Sequence, residues 1–63
     1  MVAIRRGALL YKRGPNPQWT FDPSKATWFS RELQATHEAF EICGLDSNEF
    51  EVVSEEEVYS LQS

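Results

Sequence analysis

From Ala8 to Arg13 the chain alternates in a period of two, with Leu10 on one side and Leu9 and Tyr11 on the other. That period is the mark of a half-buried strand. We read it as continuing a strand that begins at Val2, with Gly7 marking a bulge or bend. Gly14-Pro15-Asn16-Pro17 must end it, because proline cannot donate to a ladder and glycine and asparagine accept turn dihedrals. Trp19-Thr20-Phe21 predicts the return strand, with both aromatics on one face. Asp22-Pro23-Ser24 forms a second turn, and Ala26 to Phe29 is a short extended piece.

From residue 31 the period changes to that of a helix. At about 100° per residue, Leu33, Ala35, Thr36, Ala39, Phe40, Ile42 and Cys43 fall on one half of the wheel. Arg31, Gln34, His37, Glu38 and Glu41 fall on the other. Ser30 is placed to cap the N-terminus, and Gly44 suits the left-handed residue that ends a helix. Phe50 to Val53 predicts a further strand, with Phe50 and Val52 on one face. Ser54-Glu55-Glu56-Glu57 then matches a capping box. It starts a short helix to about Leu61 that docks Val58 and Leu61. The expectation is a single α+β domain over residues 1–63. It is a small two-layer fold, an antiparallel β-hairpin plus a further strand packed under one amphipathic helix, with a short C-terminal helix.

A hairpin with Trp19 in its second strand precedes an Asp-x-x-Lys-Ala-x-x-Phe-Ser segment, here Asp22, Lys25, Ala26, Phe29 and Ser30. A helix with Ala35 and Ala39 and a final strand follow. Over residues 9–53 this resembles small accessory proteins encoded by phages and prophages. The resemblance implies no single activity, but some proteins of this kind bind and inhibit host proteins.

Eight aromatic residues in a chain of 63 supply most of the apolar bulk that so small a core needs. One cysteine, Cys43, permits no internal disulfide. It suits a reducing compartment, and with no long apolar run near Met1 it points to a cytoplasmic protein without a membrane span. A homodimer or a bound partner could add stability. The net charge of −4 conceals a gradient. Arg5, Arg6, Lys12 and Arg13 give the first hairpin only cations, whereas the last 27 residues hold eight acids and no lysine or arginine.

No reactive constellation emerges. His37 and Cys43 lie about 120° apart on one helix, too far around it for the contact a nucleophile and its base require. His37 is expected to pair with Glu41 at i+4. His37 and Glu41 alone are too few ligands for zinc, and the acids from Asp46 to Glu51 lack the glycine and spacing of a calcium loop. Gly7, Gly14 and Gly44 form no phosphate-binding loop. We therefore expect no enzyme, no cofactor and no metal. The expected activity is binding of a protein through charge-steered docking with a tryptophan anchor, Trp19 or Trp28. Candidate contacts are Arg5, Arg6, Lys12, Arg13 and Trp19 on the basic hairpin, and Glu38 and Glu41 on an exposed acidic helix face. Such an acidic face could also engage a groove that normally holds nucleic acid. The alternative is a nucleic-acid-binding module that uses the basic hairpin. In the blander reading the aromatics are core and the cations guard an edge strand.

Overall fold

In a computed structural model, residues 1–62 are described. The elements run β1 (Val2–Arg6), β2 (Leu9–Lys12), β3 (Gln18–Thr20), α1 (Glu32–Glu41), β4 (Glu51–Ser54) and α2 (Glu55–Gln62). They form an α+β fold with one antiparallel four-stranded sheet in the order β3-β2-β1-β4. Among the described residues, no helix is long and apolar enough to cross a membrane.

The stretch from Val2 to Arg13 is not one strand with a bulge. It folds back on itself, pairing Arg5 with Leu10 and Arg6 with Leu9. Gly7 has φ 62°, and among the described residues no non-glycine has positive φ. A two-residue loop with glycine first in that conformation matches the right-handed twist of a hairpin. The rest of β1 aligns antiparallel with β4, from Val2 opposite Ser54 to Arg5 opposite Glu51. The extended piece before α1 is fastened to both β1 and β2. Phe29 and Val2 exchange backbone bonds of 2.7 and 2.8 Å, and Thr27 N–H donates to the Tyr11 carbonyl at 2.9 Å.

The alternation of the strands sorts the core into two clusters. Ile4, Tyr11 and Phe29 lie on the face that Ala35 and Ala39 of α1 cover, with Val2, Trp19, Cys43, Phe50 and Val52 around them. Ala3, Leu10 and Val53 lie on the other face under Val58 of α2, with Ala26 and Trp28 packed beside them. Phe50 and Val52 thus share a face as expected. The expected docking of Leu61 lies outside the described side chains.

Helix α1 departs from the wheel in two ways. Its N-cap is Arg31 rather than Ser30, and no side chain caps it. The Ser30 hydroxyl instead donates to Gln34 Oε1 at 3.1 Å. Its buried seam is Ala35 and Ala39, while Leu33 is 82% exposed and Phe40 and Ile42 are also open. The cause is bulk: the sheet already presents Ile4, Tyr11 and Phe29, so only the small side chains of α1 fit against them. Gly44 (φ 66°) ends the helix as expected, and Leu45 N–H returns to the Ala39 carbonyl at 3.1 Å. At α2, Glu57 N–H donates to Ser54 Oγ at 3.2 Å, which is the predicted cap.

Candidate functional site

The seven candidate contact residues do not gather in one place. Arg5 reaches across the sheet and pairs with Glu51 on β4. Arg13 is drawn to the helix: its Nε and Nη2 donate to the two oxygens of Glu38 at 2.9 and 2.7 Å. Lys12 is exposed on the strand face opposite Tyr11, and Glu41 is exposed near the end of α1. The expected pair between His37 and Glu41 is not among the ion pairs of the described residues.

Glu38 is therefore not part of an exposed acidic face. Its side chain is 15% exposed against 59% for Arg13. The α1 seam turns it inward, toward Arg13 and Tyr11. The hydrogen bond from Arg13 holds the Glu38 carboxyl below the usual carboxylate range, against the opposing effect of burial. The Tyr11 hydroxyl is buried without a well-formed hydrogen bond. Burial first, and the neighbouring Glu38 second, push its pKa up to about 12. An open groove of about 600 Å³ adjoins this cluster, with Trp28, Phe29 and Leu33 along it and His37 and Glu38 at its edge.

The two tryptophans serve different faces. Trp28 is fixed: its Nε1 donates to the Pro23 carbonyl at 2.9 Å, and its ring stacks on Tyr59 at 6.3 Å. Trp19 packs at a tilt on Tyr11, 5.8 Å between centroids, and like Trp28 is half-buried. The Arg6 guanidinium sits over the Trp19 ring, 5.8 Å from its centroid, a cation–π contact. Helix α1 packs on β1 and β4, and β3 packs chiefly on β2. The β3 end of this face is thus left without a helix. Phe21, two residues beyond Trp19, is 72% exposed there, and Leu9 of β2 is half-buried. Arg6, Leu9, Trp19 and Phe21 make a cation-bearing apolar patch. Phe21 was legible as a partner of Trp19 from their spacing; its exposure was not.

Cys43 lies against the α1-side core, and burial pushes its thiol up, away from the reactive thiolate. His37 is exposed on the groove side. Among the described residues no three or more His, Cys, Asp or Glu side chains are grouped to hold a metal. Compared with protein-family models, with curated proteins and with solved structures, the chain matches none.

Proposed function

We propose that the chain is a small, non-enzymatic protein-binding module of the cytoplasm that docks through the patch of Arg6, Leu9, Trp19 and Phe21. One observation carries this reading. Phe21 is exposed and Trp19 half-buried on a part of that sheet face that α1, packed on β1 and β4, does not cover, with Arg6 laid over the indole. A rigid aromatic beside an arginine is the composition of an interface anchor. The resemblance to phage and prophage accessory proteins suggests the setting, a factor that binds a host protein. The residues behind it have structural uses as well: Asp22 Oδ1 accepts from Ser24 N–H at 3.0 Å, and Phe29 is core.

Nucleic acid is the second reading, because a base could stack on the same rings. The charge pattern weighs against it. Two of the four hairpin cations, Arg5 and Arg13, are neutralised by Glu51 and Glu38 of the same chain. A photo-crosslinking residue at position 21 tests the choice in a lysate. Protein adducts that survive nuclease, and that do not form from position 56 on α2, are expected. Adducts lost on nuclease treatment would refute the proposal.

A further inference from the structure

We infer that the patch of Arg6, Trp19 and Phe21 takes an acidic protein segment carrying an aromatic or aliphatic side chain beside a carboxylate. This rests on the protein-binding reading above and names the chemistry of the partner. The three arginines of residues 1–13 differ in how their charge is met. Arg5 has Glu51 and Arg13 has Glu38, whereas Arg6 has no carboxylate among the described residues and lies over Trp19 instead. The ring holds the guanidinium in place at modest cost in solvation, and its donors remain free for an incoming carboxylate. The exposed Phe21 and the half-buried Trp19 supply apolar area next to that charge. A ligand that satisfies both needs one anion and one apolar group a few ångströms apart.

A peptide meets that demand better than a nucleic acid does. A nucleic acid brings a phosphate with every nucleotide, so its neighbours on the strand would approach a protein of net charge −4. A peptide can set a carboxylate at Arg6 and space its other charges with neutral side chains, which a nucleic-acid strand cannot do.

The test uses the whole chain and a fluorescein-labelled random copolymer of glutamate and tyrosine, read by anisotropy. Polyglutamate, a lysine–tyrosine copolymer and single-stranded oligothymidylate are the comparison probes. The glutamate–tyrosine copolymer should bind more tightly than any of them. Arg6→Gln and Phe21→Ser should each weaken it about fivefold or more. Leu33→Ser, at an exposed site outside the patch, should leave it unchanged, with circular dichroism confirming that all variants fold. Equal binding of the lysine–tyrosine copolymer through the same residues would overturn the acidic preference and leave the protein-binding reading standing. Preference for oligothymidylate would overturn both. Failure of the glutamate–tyrosine copolymer to bind, indifference to Arg6→Gln, or self-association of the unliganded chain through Phe21 would each refute the inference, the last by showing a second copy as the occupant.

Discussion

Replacing Arg13 with methionine removes the cation that holds Glu38 and leaves that carboxylate, 15% exposed, beside the buried Tyr11 hydroxyl. Methionine keeps apolar cover over Phe29, where the Arg13 guanidinium now lies 5.4 Å from the ring centroid. The backbone bond from Arg13 N–H to Thr27 Oγ1 also survives. The loss is thus mainly electrostatic. An exposed ion pair contributes about 0–1 kcal/mol, and breaking a buried one costs about 3–5 kcal/mol. This pair has one sheltered and one exposed member, so we expect a cost of about 2 kcal/mol for Arg13→Met. Glu38→Gln should cost less, about 1 kcal/mol, because the exposed guanidinium regains water and the amide still accepts a hydrogen bond. At roughly 4–8 °C per kcal/mol for a domain of this size, the first variant should melt on the order of 10 °C below wild type.

The pH dependence gives the sharper check. The Glu38 carboxyl is held low in the folded chain, so its contribution is fully present above its unfolded pKa and is lost as pH falls through the folded one. In Arg13→Met the same carboxyl lacks its cation, and burial favours its neutral form. Urea unfolding followed by circular dichroism should show the gap between wild type and Arg13→Met narrowing from neutral pH to about pH 3. A gap below about 0.5 kcal/mol at neutral pH, a larger cost for Glu38→Gln than for Arg13→Met, or a gap that widens in acid would refute the reasoning.

Three further outcomes follow from single positions. Gly7→Ala should destabilise by about 1–2 kcal/mol in urea unfolding, because an added Cβ meets nothing within 4 Å and only the left-handed backbone opposes it. Ser54→Ala should cost about 1 kcal/mol and reduce helical ellipticity, through loss of the cap on Glu57 N–H. In an ultraviolet pH titration, the Tyr11 phenol should ionise only near pH 12 while the chain stays folded, and an ordinary tyrosine titration for both phenols would contradict its burial.

The parts of the fold set by local rules were readable in the sequence. Alternation in Ala8–Arg13 placed Leu9 and Tyr11 opposite Leu10, and Ser54 through Glu57 announced α2. The β1–β2 hairpin was missed because Gly7-Ala8 lacks the asparagine or aspartate that usually signals a two-residue turn. Only the pairing of Arg5 and Arg6 with Leu10 and Leu9 reveals it. The helix wheel ranked residues by hydrophobicity, and so placed Leu33 inside and Glu38 outside. The Ala35–Ala39 seam over Ile4 and Tyr11 decided the reverse, turning Leu33 away and bringing Glu38 in beside Arg13. The link between Arg13 and Glu38 spans 25 residues, and no local pattern encodes it. Trp19 and Arg6 were both candidates, but their contact depends on β3 and β1 flanking β2, which is a property of strand order.

Both tryptophans are half-buried, but only the Trp28 indole N–H has a protein acceptor among the described residues. In ¹H–¹⁵N spectra each indole N–H gives its own signal, assigned with Trp19→Phe. A soluble gadolinium chelate should broaden the Trp19 signal strongly and exchange its proton fast, since no protein acceptor holds it among the described residues. The Trp28 signal, bonded to the Pro23 carbonyl, should stay sharp and exchange slowly. A protected Trp19 beside a broadened Trp28 would contradict the placement of the docking patch.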